Sequence, residues 1–244
     1  MIDKQFERID ELNIDGYRIY QNAKLFRFGI DAVLLTGFAE IKKGERVIDL
    51  CSGSGIIPLL FLARKDTHHV TAVEYFEYFC DLMRKSAVLN GCEDRLDIVN
   101  ADIKEIEKHF KKSTFDVLTV NPPYEKNGHG IDCDNPVKNA ARRETLCDIR
   151  DVANAAKYLL ETGGRLYMIH RPSRMCDALC ALREAGIEPR TVQLVQSKQG
   201  DIPTLVLISA IKGAPPYLKV LPNLTIYNDD GTYTKECNKV YEQD

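Results

Sequence analysis

Residues 121–124, Asn-Pro-Pro-Tyr, could hold a planar amine. They end the apolar run 115–120, because neither proline has an N–H group to donate and each restricts the residue before it. The side-chain oxygen of Asn121 and a backbone carbonyl can accept both hydrogens of one –NH2 group. The ring of Tyr124 can stack on the flat base or amide that carries this group. The stretch therefore predicts recognition of an amine, with a plain proline turn as the alternative.

A second stretch, residues 49–55 (Asp-Leu-Cys-Ser-Gly-Ser-Gly), could bring the backbone close to a ligand. Gly53 and Gly55 permit a tight turn between an apolar strand and an apolar helix. The pattern is not the dinucleotide fingerprint, because Pro58 occupies its third glycine position, and no Gly-Lys-Ser/Thr of a phosphate loop follows. Asp49 would repel a pyrophosphate and favour a ligand that carries an amine or a cation.

Two further acids follow the next two predicted strands. Glu74 ends strand 69–74, where a carboxylate can bind both hydroxyls of a ribose, and Asp102 follows strand 96–100, where it could accept from an adenine amine or cap a helix. Because the carboxyl ends of parallel strands share one edge of a sheet, these acids and the glycine loop predict one pocket. A nucleoside with a positively charged amino-acid arm fits it, as in S-adenosylmethionine.

Alternating strands and helices must position these groups. Seven apolar segments read as strands, at 46–50, 69–74, 96–100, 115–120, 165–170, 188–197 and 204–212. Helical segments separate all but the last two, which predicts a mostly parallel α/β sheet with an antiparallel strand at one edge and helices on both faces. We predict a hairpin and helix cap over 1–44, the main domain over 45–212, and a tail packed on it over 213–244.

Composition is that of an ordinary globular protein, with 44% hydrophobic and 28% charged residues and a net charge of −3. The eight cysteines form no Cys-x-x-Cys pair, and no secretory or membrane segment is evident, so we expect reduced thiols and a cytoplasmic protein. The histidines have no metal-ligand spacing with the cysteines, so we predict no metal site.

The glycine loop, the strand-end acids and Asn-Pro-Pro-Tyr together resemble the class I S-adenosylmethionine-dependent N-methyltransferases, which have a Rossmann-like fold. Further segments resemble the bacterial tRNA1(Val) adenine-N6 methyltransferase family, namely 26–38, 140–144, 170–174 and 212–236. This resemblance implies methylation of the adenine next to the anticodon, with S-adenosylmethionine as cofactor and tRNA as partner.

We accordingly predict three groups of site residues. The predicted catalytic residues are Asn121, Pro122, Pro123 and Tyr124. The predicted cofactor-binding residues are Arg27, Asp31, Asp49, Cys51, Gly53, Gly55, Glu74, Tyr75, Asp102, Ile103 and Asn121. The predicted RNA-binding residues are Arg142, Arg143, Arg171 and Arg174, which belong to a segment of net positive charge, although solvated surface charges are the alternative.

Two other functions remain open at this point. A protein-glutamine N5-methyltransferase acting on a release factor could use the same Asn-Pro-Pro-Tyr to hold a side-chain amide, although the residues before the glycine loop leave little room to recognise a protein. A non-catalytic RNA- or nucleotide-binding protein is the other alternative, and the intact glycine loop and Asn-Pro-Pro-Tyr count against it.

Overall fold

The computed structural model describes residues 4–25, 29–64, 67–123 and 147–241. The strands in these ranges are β1 (Glu7–Glu11), β2 (Arg18–Asn22), β3 (Val47–Leu50), β4 (Val70–Glu74), β5 (Leu96–Asn100), β6 (Phe115–Val120), β7 (Leu160–His170), β8 (Ile187–Gln196), β9 (Leu205–Lys212), β10 (Lys219–Val220) and β11 (Leu224–Thr225). The α-helices are α1 (Ile30–Phe38), α2 (Ile56–Arg64), α3 (Glu77–Asn90), α4 (Ile149–Leu159), α5 (Met175–Glu184) and α6 (Lys235–Tyr241).

Strands β3 to β11 form one sheet, in the order β10-β8-β9-β7-β6-β3-β4-β5, with β11 also beside β8. All neighbouring pairs are parallel except those made by β9. The order reverses at β3, which has β4 on one side and β6 on the other. Ligands of open α/β sheets bind in the crevice at such a reversal, outside the carboxyl ends of the strands.

Apolar side chains cover both faces of this sheet. One face packs against α1, α2 and α3, through residues such as Leu34, Phe61 and Met83. The other face packs against α4 and α5, through residues such as Val152 and Leu182. The predicted α/β class with helices on both faces is therefore confirmed. None of the helices in the described ranges combines the length and the apolar character needed to cross a bilayer.

Two details of the predicted sheet were wrong. The sheet has nine strands instead of seven, because the two-residue strands β10 and β11 of the tail pair with β8. The antiparallel strand β9 lies between β7 and β8 and is not at the edge. Its run Leu205–Ile208 is buried, whereas β8 has several partly exposed positions, so burial favours β9 as the inner strand.

Two segments outside the sheet pack on the helices that cover it. The hairpin β1–β2 lies against α3, where Ser86 Oγ accepts a hydrogen bond of 2.9 Å from Tyr20 N. Helix α6 packs on α1, and a Cβ on Gly37 would lie 2.2 Å from Val240 Cγ1, so this close approach needs glycine. Helix α3 is followed by Gly91 in the left-handed region at φ 59°, a conformation that favours glycine at the end of a helix.

Candidate functional site

Asp49 and Thr119 face each other across β3 and β6, at the point where the strand order reverses. Thr119 Oγ1 donates a 2.6 Å hydrogen bond to Asp49 Oδ1. The other oxygen, Asp49 Oδ2, is buried and has no hydrogen-bond partner within the part of the chain that the structure describes. Burial raises the pKa of the Asp49 carboxyl to about 7, against the opposing effect of the Thr119 hydrogen bond. A cation placed at Oδ2 would satisfy this carboxylate and favour its charged form.

Glu74 ends β4 and ties the glycine loop in place. Its Oε2 accepts from Gly53 N at 2.9 Å, and its Oε1 accepts from Phe76 N at 2.9 Å. The side chain is buried, and burial raises its pKa although these backbone hydrogen bonds act in the opposite direction. Each carboxylate oxygen can accept more than one hydrogen bond, so Glu74 can still bind two hydroxyl groups while it holds the loop.

The two glycines of the loop are needed for different reasons. Gly53 has φ +54° and open space around the position of an added Cβ, as expected where a ligand approaches the backbone. Gly55 has φ +87°, and its added Cβ would lie 2.5 Å from Cγ of Met83. Met83 is fully buried on α3, so Gly55 lets the loop and α3 pack together.

This difference gives a first prediction. Gly55→Ala should lower the unfolding free energy by about 2–4 kcal/mol, because it adds overpacking to left-handed strain. Gly53→Ala is the matched control and should cost only the strain, about 1–2 kcal/mol. Urea unfolding without added cofactor measures both. Equal losses for the two variants would show that Met83 moves aside freely and that the packing argument is wrong.

Cys51 lies in the same loop at φ 57°, a conformation uncommon for a residue with a side chain. Its Sγ is 3.8 Å from Sγ of Cys147, and both cysteines are free. The contact with Cys147 and burial raise the pKa of the Cys51 thiol well above its usual value. A thiol held in its protonated form is a poor nucleophile, so Cys51 is better suited to filling space beside the pocket.

Three further predicted cofactor contacts follow β4 and β5. Tyr75 is 47% exposed beside Glu74, and Ile103 is buried in the short helix that follows Asp102. Asp102 does cap that helix, since its Oδ1 accepts from Lys104 N at 2.9 Å, while its side chain remains 26% exposed. The cap and a ligand contact are therefore compatible for Asp102.

Asn100 is a site residue that the sequence analysis missed. Its Nδ2 donates to the backbone oxygens of Glu74, at 3.0 Å, and of Tyr75, at 2.8 Å. The amide thus braces the turn after β4 that carries two predicted cofactor contacts. Its position as a polar residue at the carboxyl end of β5 was the available signal.

The Asn-Pro-Pro segment leaves β6 on the same edge as the glycine loop. Asn121 is partly buried, and its Nδ2 donates a 3.2 Å hydrogen bond to Oδ2 of Asp31, in the first turn of α1. Pro122 is buried and Pro123 is partly buried. Asn121 therefore contacts Asp31 two residues beyond Thr119, the β6 partner of Asp49. Tyr124 and Arg27 lie outside the described residues.

Of the predicted RNA-binding arginines, Arg142 and Arg143 also lie outside the described residues. Arg171 is exposed at the carboxyl end of β7, where its Nη1 donates to Thr204 O at 3.2 Å. Arg174 has only 12% of its side chain exposed and forms an ion pair of 2.9 Å with Asp177. Arg171 is therefore more accessible to a polyanion than Arg174.

Comparisons with known proteins bear on this site. The family model described as "Methyltransferase small domain" matches residues 29–185, which include every predicted site residue except Arg27. A tRNA1(Val) (adenine(37)-N6)-methyltransferase of Histophilus somni (strain 129Pt) is 30% identical over 201 residues, or 78% of this chain and 84% of that protein. A protein of the same name from Haemophilus influenzae (strain 86-028NP) is 25% identical over 227 residues, or 90% of this chain and 91% of that protein.

Solved structures share the fold. A predicted O-methyltransferase from Agrobacterium tumefaciens, Atu636, has a TM-score of 0.71 at 21% identity, covering 86% of this chain and 94% of that one. The T. thermophilus 16S rRNA N2 G1207 methyltransferase, solved with AdoMet and guanosine, has a TM-score of 0.60 at 18% identity, covering 85% of this chain and 51% of that one. At these identities the likeness shows a common architecture alone.

Proposed function

Because this chain belongs to the methyltransferase small domain family, we propose that it transfers a methyl group from S-adenosylmethionine to the exocyclic N6 amine of an adenine in tRNA. The observation that carries the proposal is that the buried Asp49 carboxylate and the Asn121 amide both lie near the carboxyl ends of the neighbouring strands β3 and β6, where the strand order reverses. The carboxylate can bind a cationic cofactor, and the amide can bind an amine substrate.

The residues at the sheet edge fit S-adenosylmethionine. The partly unsatisfied Asp49 carboxylate would bind its ammonium group, and the open backbone at Gly53 would lie beside its amino-acid arm. Glu74 would accept from the ribose hydroxyls, while Tyr75 and Asp102 would contact the adenine. When bound, the cofactor supplies a methyl group on a positively charged sulfur, which is already an activated donor.

The chain's own contribution to the reaction is to hold the acceptor amine. The N6 nitrogen of adenine is a weak nucleophile, because its lone pair is shared with the ring. Asn121 Oδ1 and the carbonyl oxygen of Pro122 would accept its two hydrogens and favour a pyramidal nitrogen that faces the methyl group. An adenine in a single-stranded loop can be extruded into such a pocket, where Tyr124 would stack on it. Positioning then supplies most of the rate enhancement.

The names of the relatives support tRNA over the alternatives. They specify adenine 37 of tRNA1(Val), and we propose the same nucleotide, next to the anticodon, for this chain. Such a substrate places the reaction in the cytoplasm. Transfer of labelled methyl from S-adenosylmethionine to unmodified tRNA, run beside a release factor, tests the choice of acceptor. Label in the release factor alone would favour glutamine methylation, and label in neither would favour a non-catalytic protein.

The raised pKa of Asp49 predicts how cofactor binding depends on pH. Its carboxyl has a pKa of about 7 in the folded protein, so it is largely protonated at pH 5.5 and largely charged at pH 7.5. The ammonium group of the cofactor favours the charged form. The dissociation constant of S-adenosylmethionine should therefore fall about 20-fold between these two pH values, measured by calorimetry.

Two controls accompany this titration. Asp49→Asn should bind more weakly and show a flat profile, and methylthioadenosine, which lacks the amino-acid arm, should show a flat profile with the unaltered protein. A wild-type dissociation constant that does not change with pH would contradict the contact between Asp49 and the ammonium group.

The stability of the protein without cofactor should change with pH in the opposite direction to cofactor affinity. Its unfolding free energy should decrease as the pH rises from about 4 to 7, because the folded state then retains a proton that the unfolded state has lost.

Arg171 is proposed to contact a tRNA phosphate. Arg171→Gln should weaken tRNA binding and reduce the slope of log K against log salt by about one, while the affinity for S-adenosylmethionine stays constant. Arg174→Gln is the matched comparison and should change the slope less, because this side chain is mostly covered and pairs with Asp177. An unchanged slope for Arg171→Gln in a salt titration would place the RNA surface elsewhere.

A further inference from the structure

Asp31 is a predicted cofactor contact, but in the structure it touches the predicted catalytic amide. Asp31 Oδ2 accepts a hydrogen bond from Asn121 Nδ2 at 3.2 Å, although the two residues are 90 positions apart in the chain. Its other oxygen, Oδ1, accepts from Ala32 N at 3.0 Å at the start of α1. The Asp31 carboxylate is thus held at the start of α1 by one oxygen, while its second oxygen contacts the residue that follows β6.

The glycine before the helix makes room for this arrangement. Gly29 is the N-terminal cap of α1 and has no side-chain hydrogen bond to offer. A Cβ added to Gly29 would lie 2.8 Å from Asp31 Oδ1, so a larger residue would displace the carboxylate. The backbone of Gly29 is extended, with φ −107°, so any residue could adopt it. A side chain at position 29 would therefore crowd the Asp31 carboxylate and would not strain the backbone.

A carboxylate neighbour decides which way an asparagine amide faces. The charged carboxylate can only accept hydrogen bonds, so it selects the orientation in which Asn121 presents its Nδ2 to Asp31. In that orientation Oδ1, on the other branch of the same planar amide, is the atom that can accept from a substrate amine. With the amide flipped, an –NH2 group would face the –NH2 group of the substrate, and neither could accept.

From this geometry we propose that Asp31 is a positioning residue that fixes the orientation of Asn121, so that an acceptor oxygen faces the adenine amine. The inference rests on the proposed function, because it assigns a role within that same site. Loss of the Asp31 carboxylate should therefore slow methyl transfer without weakening cofactor binding. This outcome distinguishes a positioning role from the cofactor-binding role expected from the sequence.

The test uses Asp31→Asn, which keeps the size of the side chain and its ability to accept from Ala32 N. An amide at position 31 can pair with either orientation of Asn121. The single-turnover rate of tRNA methylation at saturating S-adenosylmethionine should fall about threefold to tenfold, as for loss of one charge-assisted hydrogen bond. The calorimetric dissociation constant of the cofactor should stay within about twofold of wild type. Gly29→Ala should produce a smaller loss of the same kind.

Two controls separate orientation from general damage. Glu77→Gln changes an acid in the first turn of another helix, α3, and should leave the rate unchanged. In the Asn121→Ala background, Asp31→Asn should have no further effect, because the amide that it orients is gone. A merely structural role for Asp31 would lower the rate in both backgrounds.

The outcomes are distinct. Three results would each overturn the inference. The first is a wild-type rate for Asp31→Asn, and the second is weaker cofactor binding with an unchanged rate at saturating cofactor. The third is an additional loss of rate when Asp31→Asn is added to Asn121→Ala. A wild-type protein that fails to methylate adenine in tRNA would overturn the proposed function itself. An active wild type with an unaffected Asp31→Asn variant would reject only the positioning role of Asp31.

Discussion

Asn121→Ala is expected to lower the single-turnover rate of tRNA methylation by about 10²–10³-fold, as for loss of other preorganised electrostatic partners. As the amine nitrogen attacks, positive charge develops on it and its hydrogens become better donors. The hydrogen bond to Asn121 is therefore stronger in the transition state than in the ground state, so its loss lowers the rate more than it weakens binding. The affinity for S-adenosylmethionine should change little, because the role proposed for the Asn121 amide is to hold the acceptor amine and not the cofactor.

Rapid-quench single-turnover assays and calorimetric titration of the same purified variant measure the two quantities. Asn223→Ala, which changes an exposed asparagine of the tail, is the matched control and should retain the wild-type rate. If Asn121→Ala kept the wild-type single-turnover rate, the amine-holding role would be wrong. The Asn-Pro-Pro segment would then be a structural turn.

Glu74→Ala is expected to give the largest loss of cofactor affinity, a rise in the dissociation constant of about 10–100-fold. The variant removes the group proposed to bind the ribose hydroxyls. It also leaves the backbone N–H groups of Gly53 and Phe76 without the acceptor they now share, so the glycine loop loses its tie to β4. Both effects should weaken cofactor binding, whereas no residue proposed to contact tRNA is changed.

Glu74→Gln separates these two contributions. Glutamine keeps one acceptor oxygen and replaces the other with a donor, so it can hold one of the two N–H groups and repels the other. Its affinity should lie between those of wild type and Glu74→Ala. Calorimetry with S-adenosylmethionine measures all three proteins. A dissociation constant that is unchanged in Glu74→Ala would remove Glu74 from the cofactor site.

The strand ends that carry the predicted site could be located from the sequence, because that prediction depended on local patterns. Glycines after a strand, acids at strand ends and prolines that stop a strand are each readable within a few residues. The strand alternation then predicted a parallel sheet, which brings those ends to one edge. Asp102 as a helix cap was equally local and is confirmed.

Contacts that depend on the register of distant strands could not be predicted in the same way. The pairing of Asp49 with Thr119 spans 70 positions, and that of Asp31 with Asn121 spans 90. Thr119 was detectable only as a polar residue in an apolar strand. The tail strands β10 and β11 have two residues each, too short for any period to appear. Their pairing with β8 is a tertiary effect.

Nucleoside analysis of a single tRNA tests directly whether the protein methylates one adenine amine in tRNA. Unmodified tRNA1(Val) is incubated with the protein and S-adenosylmethionine, digested to nucleosides and analysed by mass spectrometry. We expect N6-methyladenosine in this tRNA, and none in a transcript whose adenine 37, the position named in the relatives, is replaced by guanine. N6-methyladenosine that persists in the substituted transcript would contradict the proposed position. A methylated product other than N6-methyladenosine would contradict the proposed chemistry.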